Sequence, residues 1–407
     1  MNKKFWLSID AYLLISMLGL FGWGALAIYS ATHQPGLEAL SSDFKKQIFW
    51  FLLGLAPFLA AILIPPKVFY AFSYLGYALT ILILVLTLAW GTPRMGAVRW
   101  LQLGGVSFQP AEFAKFALIL ALARFLSQTK IDLSKAKDLL ICLLLTLAPF
   151  VLVLVQPDLG SAMVFLFLVF PMMFWAGLPL FALFVILFPL GVILASFNFY
   201  SFLLIMIFLI LVLYFSRQRI PVSLGYFFTN ILIGLSTPFL WNRLQPYQQQ
   251  RILAFLHPEM DPQGAGYQII QSKVAVGSGG FWGKGLLAGT QTQLKFLPEQ
   301  HTDFIFSVIA EEFGLVGAMV ILLLFFILLY RGLKIAFLVK NQFVSLASVG
   351  IVSVFLFHIL VNIGMTLGIL PITGIPLPFM SYGGSFLMTN LIMIGFLLNG
   401  ALRRWEY

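Results

Sequence analysis

Charge is what this sequence has least of. Asp, Glu, Lys and Arg make up 9% of its 407 residues, while 61% are hydrophobic; an ordinary soluble domain carries about 25% charged residues. A soluble fold of this length has no means of hiding so much apolar surface, which leaves a polytopic membrane protein. Alternating polarity, the mark of membrane barrel strands, is also missing. The apolar runs are continuous and about 20 residues long, the length of a spanning helix. Cysteine is nearly absent. Cys142 stands alone inside an apolar run, so it forms no internal disulfide and reads as a small core residue. His33, His257, His301 and His358 are dispersed, and no His/Cys metal cluster is formed. The formal net charge is +10, yet the basic residues lie in short loops between apolar runs. That excludes a nucleic-acid partner and fits a membrane surface, where such residues attract anionic lipid.

What is present is a series of twelve apolar runs forming one integral-membrane domain over 1–407. Helices are predicted near 11–31, 46–64, 67–90, 111–127, 138–155, 161–177, 179–197, 199–215, 222–240, 304–330, 343–365 and 385–402. Lys3 and Lys4, the apolar stretch from Ala11 and the Ala25-Leu26-Ala27 run imitate a cleaved signal. Because the apolar run continues past Ala27, a retained first helix is expected.

With the N-terminus placed inside, fourteen basic residues fall on the inner side: Lys3, Lys4, Lys67, Arg124, Lys130, Lys135, Lys137, Arg217, Arg219, Arg331, Lys334, Lys340, Arg403 and Arg404. The short outer loops hold only Lys45, Lys46, Arg94 and Arg99. This bias predicts both termini in the cytoplasm. The loop of 241–303 then faces outward, with Gly91 to Pro110, Gln156 to Gly160 and Gly368 to Gly384. All the polar, motif-like segments therefore share one face.

The densest cluster is Glu299, His301 and Asp303, just ahead of a long apolar helix. Ionisable groups at the lip of a span are costly and mark function by default. Asp303 is placed either to cap that helix or to act in chemistry. Asp303, Ser307 and Glu311 recur at a spacing of four, which predicts one polar stripe entering a hydrated cleft. Glu112 and Lys115 sit three apart on the fourth helix. A mid-span charge costs about 2.5–3.5 kcal/mol and a local pair returns only about 0.2–0.5 kcal/mol, so buried partners or a watered cavity are expected. The pair is either a packing salt bridge or a lysine set for a phosphate. Trp100 reads as an interfacial anchor, with Arg99 beside it suited to a diphosphate. Gln156-Pro157-Asp158-Leu159-Gly160 is a tight turn in which Asp158 caps the next helix.

Gly277-Ser278-Gly279-Gly280-Phe281-Trp282-Gly283-Lys284-Gly285 imitates a P-loop but lacks its first Gly and its Ser or Thr. It reads as a flexible, backbone-exposed loop able to hug a sugar or an anion. Pro371 to Ser385 is irregular backbone between two spans, expected to wall the same cleft.

In order along the chain, Arg99-Trp100, Gln109-Pro110-x-Glu112-x-x-Lys115, Gln156 to Gly160, Leu297-Pro298-Glu299-Gln300-His301-Thr302-Asp303-Phe304-Ile305-Phe306, Asn362-Ile363-Gly364-Met365 and Pro376 to Ser385 resemble the shape, elongation, division and sporulation family. The runs Arg251 to Pro262 and Gly289 to Glu299 are similar to its RodA-type elongation branch. Val98 stands where a second arginine is frequent, and Ala111 where serine is usual. The family typically has ten spans, so 179–240 is expected to hold extra helices, and a pair would preserve the outward position of Asp303.

The resemblance implies a peptidoglycan glycosyltransferase of the bacterial inner membrane, acting on its outer face. It would polymerise lipid II into β-1,4 glycan and release undecaprenyl diphosphate. Asp303 would be the catalytic base on the attacking hydroxyl. Arg99, Lys115 and Lys273 would hold phosphate oxygens, Glu112 would orient Lys115, and Trp100, Asp158, Glu299, His301, Ser381 and Tyr382 would complete the substrate surface. No metal ligand set is assigned, although a divalent cation between Asp303 and phosphate is compatible with the residues. Implied partners are lipid II, the nascent glycan, membrane lipid and a class B penicillin-binding transpeptidase, since the chain has no crosslinking domain. Two alternatives stand beside this reading: a lipid II flippase or other transporter, and a non-catalytic scaffold that activates a transpeptidase.

Overall fold

The structure is a computed structural model. It describes residues 10–33, 40–94, 97–103, 106–216, 220–243, 249, 253–255, 258–260, 264–294 and 296–404. Lys3, Lys4, Gly96, Arg217, Arg219, Arg251, His257, Lys295 and part of the Arg251 to Pro262 run lie outside the described residues.

The chain is an all-α polytopic membrane protein. Its helices are α1 (Ala11–Thr32), α2 (Ser42–Leu63), α3 (Pro66–Trp90), α4 (Pro110–Leu126), α5 (Ala136–Val155), α6 (Leu159–Trp175), α7 (Leu180–Ala195), α8 (Phe199–Phe215), α9 (Ile220–Trp241), α10 (Ala265–Ser278), α11 (Thr290–Gln293), α12 (Ile305–Leu338), α13 (Gln342–Thr366) and α14 (Gly384–Leu402). Eight are long and apolar enough to cross a membrane, and α6, α7 and α8 are shorter apolar helices. With α4, these match the twelve expected spans in order.

The ends of the helices follow local chemistry. α2 begins at Ser42, ahead of the expected 46, because the Ser41 hydroxyl accepts from Phe44 N–H at 3.2 Å. α12 runs to Leu338 rather than 330; Arg331, which looks like a loop residue, pairs instead with buried Asp10 across the bundle. α1 continues unbroken past Ala27.

α13 and α14 form the centre of the bundle. Their apolar windows are 78% and 83% buried, against 17% for α3 and for α9. Close crossing of α2 and α14 depends on absent side chains. A Cβ on Gly395 would sit 2.6 Å from the Phe58 carbonyl, and one on Gly54 2.6 Å from Leu391. Asn399 then donates to the Ala61 and Ile64 carbonyls at 2.7 and 2.6 Å, closing the orphan end of α2. α7, α8 and α9 pack on a separate apolar cluster around Phe188, Val192, Met206, Leu209 and Leu213. Cys142 is fully buried in the main core.

Two segments differ from expectation. Gly91 to Pro110 is not plain loop: β1 (Thr92–Arg94), β2 (Ala97–Leu103) and β3 (Val106–Phe108) form an antiparallel meander in that order. Leu101 pairs with Phe108 and Thr92 with Trp100. Neighbouring residues on a strand face opposite ways, which separates Arg99 from Trp100. Part of the expected long loop is helical as well, in α10 and α11.

Candidate active site

The turn that carries Asp303 precedes α12. Glu299 takes the left-handed conformation, φ 51°, and its carbonyl accepts from Thr302 and Asp303 N–H at 3.1 Å each. Such a non-glycine residue costs of order 1–3 kcal/mol and persists only when its surroundings enforce it. Here the loop of 371–383 supplies that force. Tyr382 N–H donates to the His301 carbonyl at 3.0 Å, and the Ser381 hydroxyl to the Thr302 carbonyl at 2.5 Å. Buried Asn362 donates to the Asp303 carbonyl at 2.8 Å and to the Ile375 carbonyl at 2.7 Å. The His301 and Tyr382 rings lie 5.6 Å apart. α1 seats the same loop: a Cβ on Gly24 would meet Met380 Cα at 2.4 Å.

The Asp303 carboxylate is partly buried under this loop. Gly374, at φ 70°, leaves it room, since a Cβ there would lie 3.3 Å from Asp303 Oδ2. Burial pushes the Asp303 pKa up to about 7; the Glu299 and Asp158 carboxylates add to the rise, and Arg99 opposes it. Asp158 caps α6, accepting from Ser161 N–H at 3.1 Å, and also accepts from Gln109 Nε2 at 3.4 Å. Arg99 Nε donates to the Gln156 carbonyl at 3.3 Å, and Arg99 Nη1 lies 3.8 Å from Asp158 Oδ2. The structure thus gathers Arg99, Asp158, Glu299, His301, Asp303, Ser381 and Tyr382 at one end of the bundle. Among the described residues no three His, Cys, Asp or Glu side chains converge to hold a metal.

Glu112 and Lys115 find the buried partner they require, and it is His358. Lys115 Nζ lies 2.8 Å from both Glu112 oxygens and 3.2 Å from His358 Nε2. An ammonium has no acceptor lone pair, so Nε2 accepts and the proton sits on Nδ1, 2.9 Å from the Pro376 carbonyl. Lys115 is 1% exposed. Through His358 it is linked to the Pro376 carbonyl of the 371–383 loop. Sequence reading missed His358, although an ionisable ring amid an apolar run was itself a signal.

The expected polar stripe does not form. Asp303 lies in the turn, off the helix. Ser307 Oγ is 2.7 Å from Ser272 Oγ. Fully buried Glu311 accepts from Lys284 Nζ at 2.9 Å, Gln291 N–H at 2.9 Å, Thr292 N–H at 3.0 Å and the Thr292 hydroxyl at 2.8 Å. That carboxylate organises α11.

The glycine-rich segment is largely exposed, with Trp282 78% exposed, but its backbone is tied down. α12 breaks at Gly314, φ 64° and ψ −160°. Lys284 and Gly285 N–H donate to the Glu311 and Glu312 carbonyls at 3.1 and 2.8 Å, while Leu315 and Val316 N–H donate to the Gly280 and Phe281 carbonyls at 3.0 and 3.2 Å. The loop supplies the backbone partners that the break removes, as a membrane interior demands. Lys273, on α10, is exposed and lies against Gly368.

The family model described as cell cycle protein (FtsW, RodA, SpoVE) matches residues 10–197 and 180–404. The chain belongs to this family. It is 39% identical to peptidoglycan glycosyltransferase MrdB of Escherichia coli (strain K12), over 97% of this chain and 94% of that one. It is 36% identical to peptidoglycan glycosyltransferase RodA of Treponema pallidum (strain Nichols), over 96% of each. Its fold matches a chain from a peptidoglycan synthase complex that coordinates polymerization and crosslinking, with a TM-score of 0.76 and 31% identity over 99% of this chain and 100% of that one.

Proposed function

We propose that the chain is the glycan-polymerising enzyme of cell elongation and that Asp303 is its catalytic base. It is a peptidoglycan glycosyltransferase, consistent with relatives that carry that name. The observation that carries the site reading is the Asp303 carboxylate itself. Asn362 holds the Asp303 backbone carbonyl against the 371–383 loop, and the carboxylate, near Arg99, has its proton affinity raised to about 7. A base poised near neutral pH is suited to take a proton from a sugar hydroxyl as that oxygen attacks an anomeric carbon. Two sugars of lipid-linked disaccharide-peptides are joined, and a lipid diphosphate leaves with the bonding electrons.

Arg99, on its strand at the rim, stabilises the departing diphosphate, and Lys273 adds a second cation. Lys115 and Glu112 are positioning residues acting through His358 and Pro376. Trp100, Glu299, His301, Ser381, Tyr382 and Asp158 complete the substrate surface. The end of the bundle bearing Asp303 faces outward in this reading. Its support is the opposite end, which carries Lys67, Arg124, Lys130, Lys135, Lys137, Arg331, Lys334, Lys340, Arg403 and Arg404. α7 to α9 fall within 179–240, the segment read as carrying the extra helices. A transpeptidase partner fits the synthase complex that this chain resembles.

Polymerisation of purified lipid II by the purified chain, with and without Asp303→Asn, tests the reading. Loss of glycan from the variant is expected. Unchanged output would remove the base. Translocation of precursor without glycan would favour a flippase, and glycan made only by an added partner would favour a scaffold.

A further inference from the structure

A cavity of about 340 Å³ opens at the end of the bundle opposite Asp303, between α1, α12 and α14. Among the described residues its polar wall is Arg331, Lys334, Arg404 and Asp10, three cations and one anion. Asp10 does not compete for a ligand, because its carboxylate is already held by Arg331: Arg331 Nε donates to Oδ1 and Oδ2 at 2.9 and 2.8 Å, and Nη2 donates to Oδ2. The guanidinium is further fixed 5.2 Å over the Tyr12 ring. Arg331 Nη1 takes no part in those bonds. Lys334 and Arg404, both exposed, lie on the same wall.

The cavity also has an apolar flank. Tyr12 is 63% exposed and Leu338 43% exposed, and both line it. Beyond the mouth, Ile15 and Leu18 continue an exposed apolar strip along α1. A cationic wall next to an apolar strip, at the end of a spanning bundle, has the shape of an amphiphile with an anionic head. Free phosphate would use only the first half of the site.

We infer that this cavity binds the phosphate headgroup of an anionic phospholipid, with Lys334, Arg404 and Arg331 Nη1 on the phosphate and the acyl chains along Tyr12 and Ile15. Basic pockets between spanning helices recognise lipid phosphates in this way, at about a fivefold gain per Lys or Arg. The leaflet is the cytoplasmic one if Asp303 faces outward, but the site does not depend on that orientation or on the proposed base. The activity assay of Asp303→Asn and the binding assay below therefore fail independently.

The test is native mass spectrometry of the full chain in detergent, titrated with phosphatidylglycerol or phosphatidylcholine, with inorganic phosphate as competitor. Phosphatidylglycerol is expected to stay bound when phosphatidylcholine is stripped. Lys334→Gln with Arg404→Gln is expected to weaken it about thirtyfold, two cations at about fivefold each. Lys334→Arg should retain binding. Lys130→Gln with Lys137→Gln removes equal charge elsewhere at the same end and should leave binding unchanged, while the thermal midpoint checks that each variant is folded. Equal retention of both lipids, or equal weakening by the Lys130/Lys137 pair, overturns the site. Saturation by millimolar inorganic phosphate with displacement of the lipid overturns the lipid as its occupant.

Discussion

Asn362 and Asp303 are joined side chain to backbone: the buried amide donates to the Asp303 carbonyl at 2.8 Å. The same nitrogen donates to the Ile375 carbonyl, so one side chain ties the acidic turn to the loop above it. Asn362→Ala leaves two carbonyls without that donor, at about 1–3 kcal/mol. If Asn362 positions the base, glycan output falls about tenfold to a hundredfold with little change in lipid II binding. Binding and turnover are measured separately. A loss confined to thermal stability, with turnover intact, would reduce Asn362 to packing.

The raised proton affinity of Asp303 predicts two opposite pH responses. As a base it must be ionised, so turnover rises about tenfold per pH unit below pH 7 and levels off above it. As a buried acid it binds its proton more tightly folded than unfolded, the pKa going from 3.8 to about 7. Its stabilising share is therefore complete below about pH 4 and lost as pH rises through 7. Asp303→Asn should melt higher than the parent at pH 8, by on the order of 1–3 kcal/mol, with the gap closing toward pH 4. Thermal midpoints across that range check the sign.

Lys115→Met strands the Glu112 carboxylate, 3% exposed, and should cost about 3–5 kcal/mol. Replacing Glu112 and Lys115 together with Met should cost less than the sum of the two single changes. The readout is a double-mutant cycle on unfolding, and additivity would show that the two act independently. His358→Ala frees the Pro376 carbonyl and should lower turnover along with stability.

The glycine segment yields a paired test. A Cβ on Gly279 would sit 1.9 Å from the Ala310 carbonyl, whereas Gly277 has nothing within 4 Å. Gly279→Ala is expected to destabilise by about 1–3 kcal/mol. Gly277→Ala, on α10, should be neutral or gain up to about 1 kcal/mol. Proteolysis within 279–285 reports whether the splice into α12 has opened.

The spans were legible because run length alone separates a membrane helix from loop, and the acidic turn was legible because charge there is costly. What the residues did not reveal was pairing at a distance. Arg331 and Lys334 read as the end of a helix, yet α12 continues past them because Arg331 meets Asp10 at the far end of the chain. Gly314 sits in an apolar run without proline, so nothing local announces a break; its cause is Gly283, whose backbone fills the gap. Arg99-Trp100 was singled out as a candidate site but not as a strand, since its meander is only a few residues long. Glu311 was misplaced for the opposite reason: its spacing from Asp303 was real, but the helix starts after Asp303.

The ion pair between Asp10 and Arg331 spans 321 residues of chain. Translation delivers the anion first, where it caps α1 through Leu13 N–H, and its cation much later. During synthesis the first helix must therefore wait in the bilayer without its cation. This end of the bundle is closed only when residue 331 has followed residue 10, so a product truncated before α12 is left unlatched however many helices it has inserted.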